Sequence, residues 1–403
     1  MRISILILIL LLSNTVSSQN KNKYKFIQRT TIDSLLKAKG FKDGDSVQIK
    51  VFFKVKNNGL IQILNIDAPD KILENKAIDA LKKLEPFNSK YRNNSYKFTF
   101  DYKIKFSKIK YYEFNELNSE LPEDDIWSLE IDKNGYKWIG TGKKGLVKMK
   151  NNDWIIFNKD NSIIKGLYIS PIFCDSNNNI WLTFSEPDAL IKFDGNNWKQ
   201  LTKSITKLRH SPIKITEDNK GNLYFGGFNE LVKFDKKKWS IITLPEGKFI
   251  IRAIAIDEDG TIAIGHNNGL IINKNGKWTI YQIEKDKLQS YVRSLKYLKK
   301  GKLFIGYGGN KEGGFSILEN NNWKHYNTSN SNLSNNMVRD IEIDKNGNLW
   351  LATNNGLNKV KPNGKITPYY FFEGQNMNVI IDIAIEKNII WVGTNSGLIK
   401  IEQ

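Results

Sequence analysis

The chain is poor in the side chains that most often do chemistry. Of its 403 residues one is cysteine and three are histidine, and only seven arginines stand against 54 lysines. A lone Cys174 excludes an intramolecular disulfide. It sits at an inner-strand position otherwise filled by apolar residues and Glu217, which predicts a small core residue rather than a nucleophile. His210, His266 and His325 lack metal-ligand spacing, and His325, two residues after Trp323, reads as structural. The net charge of +19 raises nucleic-acid binding, but readout of bases and phosphates favours arginine, and we expect none. No apolar run is long enough to span a bilayer; the longest, Ile3 to Leu12, has about ten residues. Nucleophile elbows, phosphate loops and zinc motifs are missing. Turns such as Asp257-Glu258-Asp259-Gly260 lack the further oxygen ligands of a calcium loop and read as hairpin turns. No metal and no cofactor are expected.

What the chain has is repetition. The position of Trp350 recurs at Trp138, Trp181, Tyr224, Ala263, Phe304 and Trp391, at steps of 39 to 46 residues. A second aromatic position recurs at Trp154, Trp198, Trp239, Trp278 and Trp323, with Ile366 as a weaker form. In the clearest unit Val338 to Ile343 alternates, Asp344-Lys345-Asn346-Gly347 turns, Leu349 to Thr353 is a second strand, and Leu357 to Lys361 a third. The period is two rather than 3.6. Short strands repeated at this spacing predict a seven-bladed β-propeller. Gly140, Gly226, Gly265, Gly306 and Gly393 follow the second-strand position, where a missing Cβ permits close packing. The last unit ends after its third strand. Tyr111-Tyr112-Glu113-Phe114-Asn115 aligns with Trp154 to Asn158, so residues 110–115 are expected to complete the last blade and close the ring.

The first 110 residues differ in kind. They hold no tryptophan, three of the 29 glycines, and 22 basic against nine acidic residues, a net +13. Arg2, the apolar run and Val16-Ser17-Ser18 read as a signal peptide over 1–18, and no cysteine follows that would carry a lipid anchor. Between 24 and 107, Val47 to Val55 alternates, Asn57-Asn58-Gly59 turns, Leu60 to Ile66 returns, Ile72 to Leu84 falls on one helical face, and Tyr96 to Phe106 alternates again. The fold class expected is mainly β: a propeller over 108–403 preceded by a small α+β domain.

Two resemblances add to this. Asn348-Leu349-Trp350-Leu351-Ala352-Thr353 and Tyr136-Lys137-Trp138-Ile139-Gly140-Thr141 resemble two-component-regulator propeller repeats. That resemblance implies an extracytoplasmic ligand-sensing module; with one propeller and neither spanning helix nor kinase after it, direct phosphorelay is not expected. The alternation over Val47 to Val55, Asn58-Gly59-x-Ile61, Asn75 to Leu84 and Phe98 to Phe106 resembles the C-terminal domain of TonB-type energy transducers. It implies docking of partners by strand addition, here through residues 96–106. Without a membrane helix and Pro-rich spacer, energy transduction is not expected.

Three of the seven arginines, Arg252, Arg293 and Arg339, hold one repeat position in consecutive blades four, five and six. Trp127, Ser170, Ile213 and Ile381 hold it elsewhere. Opening the innermost strand, these guanidinium groups are placed to converge on the mouth of the axial channel and take a carboxylate, sulfate or phosphate. The alternative is that each pairs with a neighbouring acid such as Asp340 and only fastens blades. His266, Tyr307, Lys143, Lys144, Glu186 and Asp188 fall in loops on the same face. The candidate ligand site is therefore Arg252, Arg293, Arg339, Trp127, His266 and Tyr307, with no catalytic or metal residues. The leading reading is a periplasmic or secreted non-catalytic binding propeller for a small anionic ligand, a glycan or an envelope protein. A propeller lyase, with His266 or His210 as base, is the alternative from another class; Ile180-Trp181-Leu182-Thr183-Phe184 distantly resembles one such family. A structural part of an envelope assembly is a third.

Overall fold

The computed structural model describes residues 46–57, 61–68, 95–103, 110–151, 153–185, 189–283, 288–298, 301–309, 313–371 and 378–403. Seven four-stranded antiparallel sheets follow one another along the chain from residue 126. The sixth shows the unit: Val338–Ile343, Leu349–Thr353, Gly356–Val360 and Ile366–Tyr369. Its counterparts open at Ile126–Ile131, Ile172–Cys174, Lys214–Glu217, Ile251–Ile256, Val292–Leu298 and Ile380–Glu386. These first strands contact one another from sheet to sheet around the ring, which makes them the innermost. From residue 110 the chain forms a seven-bladed β-propeller, and among the described residues there is almost no helix; Lys203–Thr206 supplies a single turn.

Closure follows the expected route. The seventh blade takes Ile380–Glu386, Ile389–Thr394 and Gly397–Glu402 from the C-terminal end and its outer strand, Lys110–Phe114, from ahead of the first blade. Tyr111 is buried in that strand. Joining the ring by strand pairing leaves no open inner seam to invite edge-to-edge association.

The second-strand aromatics hold neighbouring blades together. Trp138 of blade one packs with Ile180, Leu182 and Ile191 of blade two, and Trp181 with Leu223, Phe225 and Val232 of blade three. Tyr224 meets Ile264 and Ile271, Phe304 meets Leu349 and Leu351, and Trp391 meets Ile139 and Val147 across the closure. Each buried indole withdraws about 150–250 Å² from water, an upper bound of roughly 4–6 kcal/mol. Gly140 answers to the same crowding, since a Cβ there would strike the backbone carbonyl of Ile169.

The acidic turns do more than reverse the chain. In four blades the aspartate opening the first hairpin accepts a hydrogen bond from the ring six residues on: Trp138 to Asp132 at 3.0 Å, Trp181 to Asp175 at 2.8 Å, Tyr224 to Asp218 at 3.0 Å and Trp350 to Asp344 at 3.0 Å. The other carboxylate oxygen takes two backbone N–H groups of the turn, as Asp344 does from Asn346 and Asn348. One carboxylate thus fixes both a turn and the orientation of the indole that binds the next blade. Blade four has Ala263 at the ring position and blade seven lacks the aspartate, leaving the Trp391 indole N–H without a partner.

The strands Ser46–Val55, Ile61–Asp67 and Ser95–Lys103 form a separate three-stranded antiparallel sheet with Ser46–Val55 central. Val51 and Phe53 are buried in it. The expected helix over Ile72 to Leu84 and the signal peptide over 1–18 lie outside the described residues, as do 104–109.

Replacing Asp344 with alanine is expected to cost about 1–3 kcal/mol, the penalty of stranding buried donors. Replacing Asp257, which has no ring to hold, should cost less than about 1 kcal/mol; chemical denaturation of both variants checks the difference. Burial raises the Asp344 and Asp218 carboxyls, but their hydrogen bonds outweigh it and both end below the usual aspartate value. Their contribution to stability is therefore present above about pH 3.9 and lost as pH falls through the lower native values. In an acid titration the stability gap between wild type and Asp344→Asn should be constant above that point and shrink below it.

Candidate functional site at the channel mouth

The shared repeat position turns out to be a β-bulge. In blades one, four, five, six and seven the pairing of first and second strands skips one residue: Trp127, Arg252, Arg293, Arg339 and Ile381. A bulge leaves the extra residue outside the ladder and re-aims its side chain. It lies where the innermost strand begins, at the rim reached by the loops between second and third strands.

The three arginines come together there. Arg252 lies over the ring of Tyr291, 5.4 Å from its centroid. Arg339 donates its Nε–H to Asn354 Oδ1 at 2.6 Å. Burial first, then the positive charge of Arg293, push the Arg339 guanidinium down to about 10, against a smaller opposite pull from Tyr291. Tyr291 can sit at this centre because Gly308 faces it; a Cβ on Gly308 would overlap the phenol ring. Among the described residues no carboxylate forms an ion pair with any of the three. Asp340, the neighbour considered from sequence, instead accepts the Ile383 N–H at 3.2 Å. The Nε of Arg252 is buried with no partner. A partly buried, unneutralised cluster of like charge is costly unless an anion completes it.

Trp127 is 41% exposed on the same rim, its indole N–H held by Asp125 at 2.9 Å and its ring edge-on to Tyr168 at 4.9 Å. Phe228, 49% exposed, and His210 meet edge-on at 5.9 Å in the neighbouring loops. The rim therefore has a cationic arc over blades four to six and an aromatic arc over blades one to three. The sequence analysis did not single out Tyr291, Tyr168 or Phe228; single aromatics in polar loops carry no periodic signal.

The remaining candidates lie elsewhere. His266 is buried, 2% exposed, with its ring edge-on to Phe249 and Nδ1 accepting the Asn268 N–H at 3.1 Å. Burial pushes its pKa down to about 4, so the ring is neutral near pH 7. Tyr307 is fully buried and its hydroxyl donates to Ser316 Oγ at 2.8 Å, which in turn lies 3.2 Å from His325 Nδ1. This Ser–His contact resembles a nucleophile and base, but Ser316 is 1% exposed and out of reach of a substrate. His266 and Tyr307 belong to the interior, not the open rim, because their strand ends point into the sheet stack. The backbone N–H groups of Lys143 and Lys144 donate to Glu123, and Glu186 and Asp188 lie outside the described residues. Burial, then Glu130, push the Cys174 thiol up to about 12, so it holds its proton.

Comparison with known proteins supports the fold. Residues 332–355, within the sixth blade and the loop before it, match the two component regulator propeller family. No curated protein sequence matches the chain. Among solved structures the chain is similar to a catalytically inactive virginiamycin B lyase from Staphylococcus aureus with quinupristin, at 16% identity and TM-score 0.60, over 73% of this chain and 100% of that one. It is similar to the extracellular domain of a putative hybrid two component system from B. thetaiotaomicron, at 18% identity and TM-score 0.60, over 87% of this chain and 51% of that one. YCF48 from Cyanidioschyzon merolae shares 10% identity at TM-score 0.53, over 73% of this chain and 98% of that one. At these identities the likeness is one of fold.

Removing one charge tests the cluster. Arg293→Gln is expected to stabilise the ligand-free protein by about 0.5–1 kcal/mol at low salt, on the scale of Coulomb terms near a surface. The gain should shrink as salt screens the repulsion. Thermal melts at two ionic strengths check it; a loss of about 1 kcal/mol would show the arginine to be structural.

Proposed function

We propose that the chain is a non-catalytic, extracytoplasmic binding propeller of the sensory type, taking an anionic ligand at the channel mouth. The observation that carries this is the group of three arginines on equivalent bulges, gathered around Tyr291 with no carboxylate paired to them among the described residues. A carboxylate, sulfate or phosphate, free or on a glycan, supplies the missing charge, and the guanidinium fork suits such oxyanions. The family match and the likeness to the extracellular domain of a two component system support sensing outside the cytoplasm. No helix among the described residues is long and apolar enough to cross a membrane. In this reading the basic N-terminal region docks to the envelope or a partner by strand addition through residues 96–106; Ser95–Lys103 is an outer strand of the three described in its sheet.

The likeness to virginiamycin B lyase favours an enzymatic reading by overall shape. A lyase needs a base beside its substrate. His266 is interior; the His210 ring lies edge-on to Phe228, and the nearby Glu230 carboxylate is taken by the backbone N–H groups of Arg209 and His210. Binding therefore accounts for the mouth better than elimination chemistry.

A thermal-shift series with sulfate, simple carboxylates and acidic glycans tests the reading. Ligand at about 100 times its Kd should add roughly 2.7 kcal/mol to wild type and nothing to Arg252→Ala/Arg293→Ala/Arg339→Ala. Equal shifts in both proteins would place binding elsewhere.

A further inference from the structure

Below the mouth, the first strands carry a second group of charges that the binding reading does not use. One and three residues beyond the bulge position, side chains turn toward the next blade. Glu130 of blade one, Lys214 of blade three, Lys296 of blade five, Asp340 and Glu342 of blade six and Asp382 of blade seven are all partly exposed there. Blade two adds the Cys174 backbone N–H, which donates to Glu130, and blade four adds only Ala253 and Ala255.

These side chains clip each inner strand to the next. Lys296 donates to both oxygens of Glu342, at 2.7 and 2.8 Å, joining blades five and six. Asp340 accepts the Ile383 N–H at 3.2 Å, joining six and seven. Asp382 accepts the Leu129 N–H at 2.8 Å, joining seven and one across 253 residues of sequence. The last bond links C-terminal strands to the first blade, at the closure of the ring. Ser128 Oγ accepts the Ile172 N–H at 3.0 Å and continues the series to blade two.

The group is unbalanced. Four carboxyls face two ammonium groups, and Asp340 Oδ2 and Asp382 Oδ1 accept the same Ile383 N–H, at 3.2 and 3.1 Å. Two carboxylates sharing a partly dry site cannot both ionise cheaply. We propose that this axial network is a proton-operated clasp: protons held on Glu130 and Asp382 keep the carboxyls of blades six, seven and one from repelling one another, and loss of those protons sets like charges against each other and loosens the ring closure.

Titration of the members agrees in direction. Burial raises Glu130 to about 7, helped by the charge of Glu342 and opposed by Lys214 and by its two backbone donors. Burial and then Asp340 raise Asp382 well above the usual aspartate value. Burial works against the Lys296 ammonium, but Glu342, Asp340 and Glu130 outweigh it and its pKa rises. A carboxyl raised on folding contributes stability that is complete below its unfolded value, about 4.3 for glutamate. That contribution is lost as pH rises through the native value near 7. The window is separate from that of the turn aspartates, which act below about pH 3.9.

Thermal melts of the full chain from about pH 5 to about pH 8 test the clasp. Wild type should lose melting temperature as pH rises, while Glu130→Gln and Asp382→Asn should flatten the profile and match or exceed wild type at the upper end. Amide hydrogen exchange of wild type provides a test that needs no variant. Protection at Gly397, whose N–H donates across the closure to the Asp124 carbonyl, corrected for intrinsic rates, should fall about tenfold relative to Ile305 and Leu351 as a proton leaves. A melting temperature that rises over this range, variants parallel to wild type, or unchanged relative protection would each overturn the proposal.

Discussion

Every blade of this ring leaves the face of its second strand uncovered until the next blade arrives. That requirement sets the order of consequences. A large ring at one recurring position spans the gap, and an aspartate six residues earlier holds four of those rings in orientation while closing its own turn. Because each interface needs the next, stability depends on the circle being complete. Lys110–Phe114 completes it from the far end of the propeller's chain, lending the last sheet its outer strand.

A rigid circle makes small irregularities useful. Five blades carry an unpaired residue at the start of their innermost strand, and equivalent bulges point equivalent side chains at one rim. Arginine in three consecutive copies then becomes a cluster without any loop having to reach across. The next residue on the same strands turns inward: Asp340 follows Arg339, and Asp382 follows Ile381. The rim proposed to take a ligand and the bonds that close the ring are thus built on successive residues of the same short strands.

Much of the architecture was legible because period two and a recurring aromatic survive divergence between repeats. The blade number, the borrowed strand and the inner position of Arg252, Arg293 and Arg339 all came from alignment of the units. The bulge did not, since one skipped pairing leaves no mark on alternation. The aspartate-to-indole bonds were read only as hairpin turns, because a spacing of six crosses from one strand to the next. Loop position placed His266 and Tyr307 near the mouth, yet both rings fold inward against Phe249 and Ser316. Tyr291 escaped notice because its role depends on Gly308 opposite, a contact between two loops. The axial charges were invisible for the same reason: Glu130 and Asp382 are far apart in sequence and meet only when the ring closes.

The claim on which the account turns is that the rim arginines await an anion rather than serve the fold. The most direct measurement is the NMR signal of the arginine Nε–H groups, recorded without and with sulfate. The account expects the Arg252 signal, from a donor with no partner in the ligand-free protein, to shift and become protected from exchange on addition. Arg209, paired with Glu230, should stay unchanged. Identical behaviour of Arg252, Arg293, Arg339 and Arg209 at all sulfate concentrations would contradict it.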